Sequence, residues 1–272
     1  MASVGAVAGS FTLARHPYEL VDRSVQLAER TEIAPGFLRL RLTERVGDAL
    51  VGFRAPGPGD HCRVIVQGLD PDGRVPVDAE GRALVASSTY TIVDEQLEHA
   101  PRWIDIDVVL HDDADHSPTA FRAGVARWAA TAPLGAPAVI TGPKGSVIMT
   151  GRPERVLLAG DDTAVPALRR YLGMLGPDTL GDLLLETHHD PAALGLEVPT
   201  GIELSILSPV PHDPSAPIVA ALTDRPPPPA AAPADVFVFV CAEQSVVAPA
   251  RAMLARWGIA VESAVVKGYW KR

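Results

Sequence analysis

The sequence predicts two units in series: an antiparallel β-barrel or sandwich, then an α/β unit built on a parallel sheet. Three observations carry this. Residues 25–142 are short segments that alternate apolar and polar side chains, separated by Gly, Pro and Asp. After Gly151 the period changes. Continuous apolar runs at 155–159, 182–187, 203–207 and 236–240 then alternate with helices or loops, as strands buried on both faces require. Third, residues 156–168 carry an apolar strand through Gly160, Asp161 and Asp162 into a helix ending near 175. That order turns the free N–H groups and positive dipole end of a helix toward whatever sits above the strand, where an anionic ligand fits.

Within the first unit, Phe37, Leu38, Leu40 and Leu42 alternate with Arg39 and Arg41, and residues 61–66 and 103–110 read as further strands. One helix is predicted at 119–132, with Phe121, Val125, Trp128 and Ala129 at helical spacing, covering one end of the barrel. A boundary is expected between 149 and 153, giving an N-terminal extension at 1–22, a barrel domain at 23–150 and an α/β domain at 153–272. In the second unit a strand at 235–243 precedes a helix at 246–257. Residues 209–234 contain four consecutive prolines from Pro226 to Pro229 and read as an exposed connection.

The totals exclude several classes. A net charge of −9, with Lys144, Lys267 and Lys271 the only lysines, leaves no basic stripe for nucleic acid. No run approaches the roughly 20 apolar residues of a membrane span, and the first ten residues lack the basic n-region of a signal peptide. Cys62 and Cys241 lie far apart and read as reduced thiols, so a cytoplasmic protein without membrane insertion is expected. The spacing within residues 111–116, His111 to His116, matches no regular metal loop, and no metal site is predicted. His188, His189 and Asp190 follow a strand end on the side where ligands sit in open α/β sheets, and read first as a surface turn. Trp103 and Trp257 read as core. Neither a Gly-x-Ser-x-Gly elbow nor a phosphate-binding loop with Lys-Ser/Thr is present.

Six segments, in order, carry a more specific signal. They are Tyr90-Thr91, residues 106–111 ending in His111, Trp128-Ala129, residues 141–145 (Thr-Gly-Pro-Lys-Gly), residues 158–167 through Gly160, Asp161, Asp162 and Thr163, and Gly268-Tyr269-Trp270. Over residues 23–272 the chain thereby resembles the siderophore-interacting protein family, FAD-dependent ferric-siderophore reductases. The resemblance implies a Greek-key barrel followed by a ferredoxin reductase-like α/β domain. The family's flavin motif is Arg-x-Tyr-Thr; here it is Ser88-Thr89-Tyr90-Thr91, so a hydroxyl stands where a guanidinium would meet a cofactor phosphate. Tyr90 is implied to pack beside the flavin of FAD, and Thr91, the implied catalytic hydroxyl, to reach the ring near N5.

The same resemblance assigns His111, Gly124, Arg127 and Trp128 to the cradle of the FAD pyrophosphate. The intervening segment differs from the family in length and in carrying Asp112, Asp113 and Asp115, which repel a pyrophosphate unless Ser117 or Thr119 caps the helix and Arg122 or Arg127 meets the phosphate. Gly160, Asp162, Thr163 and Glu243 fall on the NADPH or NADH side. Asp162 or Thr163 serves equally as a helix cap, and Glu243 as a charge placed at a helix start. Ala242 stands where the family has Gly and is expected to narrow the nicotinamide turn. Tyr269 and Trp270 are implied to lie by the flavin, and Lys267 to attract an anionic ferric chelate or protonate a released ligand oxygen, unless the terminus is a docking tail. The function implied is NAD(P)H-linked reduction of a ferric siderophore with release of Fe2+. The alternative is a protein of the family fold that has lost flavin redox activity and binds or transforms a small molecule in a biosynthetic pathway.

Overall fold

The computed structural model describes residues 10–67, 77, 80–81, 85–110, 124–228 and 233–271. They form two compact units, one of Arg15–Val147, the other joining the segment up to Ala14 with Ile148–Arg272. Strands β1 (Phe11–Pro17) and β8 (Gly145–Gly151) pair with each other in a two-stranded sheet.

The first unit is a closed antiparallel barrel of β2 (Asp22–Ala34), β3 (Phe37–Glu44), β4 (His61–Gln67), β5 (Val85–Gln96), β6 (Trp103–Val109) and β7 (Pro137–Thr141), in the order β2-β3-β6-β5-β4-β7. β3 lies beside β6 and outside the β4-β5-β6 meander, which is a Greek key. The alternation seen in the sequence is a division between two faces. Leu40 and Leu42 lie opposite Ile106 and Ile104, and all four are fully buried in the core. On the other face Arg39 lies opposite Asp107 and Arg41 opposite Asp105. Each arginine grips its aspartate through Nε and Nη2, at 2.8 and 3.1 Å for the first pair and 2.9 and 2.8 Å for the second. Trp103, expected in the core, is half-buried and carries the Arg41 guanidinium 3.7 Å from its ring centroid.

Helix α1 (Gly124–Thr131) seats Val125, Trp128 and Ala129 in the barrel core. A Cβ on Gly124 would stand 2.2 Å from the Ala86 Cβ, so glycine there lets the helix start close against β5. Arg30 donates to the carbonyls of Ala129 and Ala132 at the helix's other end.

The second unit is a parallel sheet ordered β11-β10-β9-β12-β13, from β9 (Arg155–Asp161), β10 (Leu180–Glu186), β11 (Ile202–Leu207), β12 (Val236–Glu243) and β13 (Ala264–Trp270). Helices α2 (Val165–Met174), α3 (Ala216–Thr223) and α4 (Val247–Trp257) cover it. All eight residues of β12 are buried. Its valines pack with Ile218, Leu222, Met253 and Trp257 on one face. Phe237 and Phe239 meet the Tyr171 ring of α2, with centroids 5.1 and 4.9 Å apart. Numbered by chain order within the sheet, the strands run 3-2-1-4-5, and the order reverses between β9 and β12.

Two expectations change. The connection 209–234 contains α3, because Pro217 sits in the first turn, where its missing N–H costs nothing, and Ile218 and Leu222 reach the core. The terminal residues 264–270 form an edge strand paired with β12, not a tail.

Candidate functional site

Each unit carries one group of the sequence-selected residues. In the α/β unit they gather at the carboxyl ends of β9 and β12, the switch point. Asp161 ends β9, 9% exposed. Its Oδ1 accepts from the Thr163 N–H at 3.0 Å and from the Thr163 hydroxyl, and its Oδ2 accepts from the Trp270 indole Nε1 at 2.8 Å. Burial raises the Asp161 carboxyl above the usual carboxylate range, opposed by these hydrogen bonds. The capping residue of the turn Asp162–Ala164 is therefore Asp161, not Asp162 or Thr163.

Gly160 serves packing and not a turn. A Cβ there would lie 2.5 Å from the Ala164 Cβ and 2.9 Å from the Cys241 carbonyl oxygen. Ala242 likewise narrows nothing, since its side chain belongs to the core under α4. Glu243 ends β12 and accepts from the Ser245 N–H at 2.6 Å through Oε2, the helix-start role. A register shift between Ala242 and Glu243 skips Tyr269 and sets Trp270 opposite Glu243. Tyr269 instead hydrogen-bonds the buried Cys241 thiol, whose pKa burial pushes up to about 12. Lys267 lies opposite Cys241 within the strand, short of the carboxyl edge.

Two participants, Glu186 and Ser215, escaped the sequence reading, in which His189 reads first as part of a surface turn. Glu186, 3% exposed at the end of β10, accepts from the Ser215 N–H at 2.9 Å through Oε1, while Oε2 has no hydrogen-bond partner among the described residues. Burial is the main cause of its raised pKa, with repulsion from Asp161 and Asp162 added to it. Ser215, at φ 65°, is held in that left-handed conformation from three sides: its N–H on Glu186, its Oγ receiving the Glu243 N–H at 3.3 Å, and its carbonyl receiving the Val219 N–H. His189 Nε2 lies 3.8 Å from Asp162 Oδ2, so the His-His turn faces the switch point. The edge is thus acidic, and the Thr163 N–H and hydroxyl are both spent on Asp161. It suits an uncharged amide or a cation better than a phosphate.

In the barrel unit, Ser88, Tyr90 and Thr91 lie on β5, opposite Val64, Cys62 and His61 of β4. Burial pushes the Tyr90 phenol up to about 12, and a hydrogen bond from Ser88 acts against that shift. Ser88 is therefore engaged with the tyrosine two residues on. Thr91 is 5% exposed. Gly124 and Trp128 lie on α1, where Trp128 is core and so places the helix without offering a free face. Arg127 is on its exposed side. His111, the acidic segment through Asp115, and Ser117, Thr119 and Arg122 lie outside the described residues. Among the described residues no cluster of three or more side chains could hold a metal ion, and no helix is long and apolar enough to cross a membrane.

Residues 26–147 match the model of the siderophore-interacting FAD-binding domain, and residues 153–272 that of the siderophore-interacting protein. An uncharacterized protein of Mycobacterium tuberculosis is 30% identical over 200 residues, 67% of this chain and 64% of its own length, so the chain spans just under two thirds of that relative. The NADPH-dependent ferric-chelate reductase of Escherichia coli is 30% identical over 166 residues, 58% of each chain. Among solved structures, a siderophore utilization protein from T. fusca superposes with a TM-score of 0.72 at 26% identity, covering 96% of both chains. The cytochrome b5 reductase domain of Ulva prolifera nitrate reductase, at 15% identity and a TM-score of 0.58, covers 90% of this chain and 96% of its own, and shares the ferredoxin reductase-like fold.

Proposed function

Because the chain belongs to the siderophore-interacting protein family, we propose that it is an FAD-dependent, NAD(P)H-linked reductase of ferric siderophores that releases iron as Fe2+. The observation that carries this reading is the strand β5, which bears Tyr90 and Thr91 opposite Cys62 and His61 of β4 and meets the start of α1 at Ala86. When bound, FAD supplies the conversion of one hydride into two single electrons for ferric iron. The chain's own residues supply placement. Tyr90 offers a largely buried aromatic face, Thr91 a hydroxyl for the ring edge, and Ser88 one neutral hydroxyl toward a phosphate. At the switch point, the carboxylates of Asp162 and Glu243 suit the amide of a nicotinamide, while Thr163 and Trp270 hold Asp161. Lys267 and Tyr269 are proposed to act from β13 on the approach of the chelate.

The second reading, a family-fold protein without flavin redox activity, is favoured by one observation: Ser88 offers no charge and is engaged with Tyr90. Anaerobic turnover separates the two. With a ferric chelate and a ferrous-specific chromogenic chelator, the reductase forms Fe2+ only when both FAD and NAD(P)H are supplied. Iron release independent of added FAD on flavin-free protein, or none with both present, contradicts it.

A further inference from the structure

Arg23 is the one arginine among the described residues that is nine-tenths buried, at 9% exposure. Its Nη1 donates to the carbonyls of Val21 at 3.0 Å and Gly142 at 3.4 Å, and the Phe53 ring covers the guanidinium at 5.4 Å. Among the described residues its buried Nε has no hydrogen-bond partner, and Nη1 makes the only hydrogen bonds of the guanidinium. Other arginines of the barrel behave differently. Arg30, Arg39, Arg41, Arg63 and Arg102 all commit Nε to an oxygen, and in Arg39 and Arg41 the Nε and Nη2 edge holds a carboxylate side-on. Arg23 keeps that edge unengaged, although a buried charge without a counter-ion is costly. The desolvation shows as a lowered pKa.

Arg23 lines a cleft of about 250 Å3 made entirely by the barrel unit, with Tyr18, Glu19, Arg54 and Gly142 among its walls. Arg54 is exposed, so the cleft carries two guanidinium groups against the single carboxylate of Glu19. We propose that this cleft binds a small monocarboxylate, or the carboxylate arm of a larger molecule, through the guanidinium of Arg23, with Arg54 as second cation. A planar carboxylate matches a guanidinium, and bidentate contact is what guanidinium offers and ammonium does not. One net positive charge fits a monoanion; a phosphate dianion meets added repulsion from Glu19. None of its residues belongs to β5 or α1, while Gly142 and Pro143 fall in the segment 141–145.

The test titrates acetate into the full chain at constant ionic strength, with chloride and inorganic phosphate as comparison arms, following the Arg23 Nε–Hε NMR resonance and the melting temperature. A saturable shift with acetate and none with chloride is expected. Arg54→Gln, a surface change, should weaken acetate severalfold, and Arg23→Lys by about tenfold or more. Absence of saturation, a response equal to that of chloride, or unchanged affinity in Arg54→Gln overturns the proposal. Phosphate binding more tightly than acetate overturns the monocarboxylate assignment. Should Arg23→Lys fail to fold, the wild-type resonance and Arg54→Gln still decide.

Discussion

The indole N–H of Trp270, at the end of β13, donates to the Asp161 carboxylate at the end of β9, reaching past β12 at 2.8 Å. The edge strand is thereby tied to the strand that opens the switch point. The tie depends on the register shift in β12, which puts Trp270 where Tyr269 would otherwise sit. Asp161 is thereby engaged at both carboxylate oxygens.

Trp270→Phe keeps an aromatic ring, smaller than the indole, and removes the donor. It strands a buried carboxylate oxygen, so a loss of about 1–3 kcal/mol in urea denaturation is expected. Loss of less than a few tenths would mean that water replaces the indole without penalty.

Glu186 sets a pH dependence. A carboxyl whose folded pKa is raised above its unfolded value contributes stability in its neutral form. That contribution is complete below the ordinary glutamate value of about 4.3 and is lost as pH rises through the higher folded value. Relative to Glu186→Gln, the native chain should be favoured most in acid and lose that advantage toward neutrality. Denaturation curves for both chains across this range check it; a difference that does not change with pH contradicts it. Asp161 shifts the same way and adds to the wild-type slope in both chains.

Gly160→Ala should destabilise through overpacking by about 1–3 kcal/mol, because the added methyl meets both the Ala164 Cβ and the Cys241 carbonyl. Thermal unfolding measures it. A neutral result would show that the start of α2 can move away from β9.

Much of this was legible in the sequence. Leu38, Leu40 and Leu42 on one side and Arg39 and Arg41 on the other fixed a barrel strand, and residues 156–168 fixed a strand, turn and helix. What escaped depended on which strands become neighbours. Glu186 and His189 approach Asp162 only because β10 pairs with β9, and no spacing in the chain encodes that pairing. Asp161 displaced Asp162 as the cap because the strand runs two residues further than its apolar run. Helix α3 was hidden by proline content, although Pro217 sits where a helix tolerates it. Ser215 carries no local signal, since its left-handed backbone is imposed by Glu186 and Glu243 from other strands.

Ser88→Arg restores a cation beside Tyr90. If the FAD phosphates lie where the family motif implies, affinity should rise by about 1.5–3 kcal/mol, read by equilibrium titration of flavin fluorescence. Unchanged affinity places the phosphates elsewhere on the barrel.

The central claim is that the barrel holds a flavin at Tyr90 and Thr91, and the most direct measurement is flavin stoichiometry after equilibrium dialysis of the purified full chain against FAD, compared with Tyr90→Ala. One FAD retained per chain, its visible absorbance bleached by anaerobic NADPH, and markedly weaker retention in a folded Tyr90→Ala is the predicted result. No retention by the native chain, or retention indifferent to Tyr90, would contradict it.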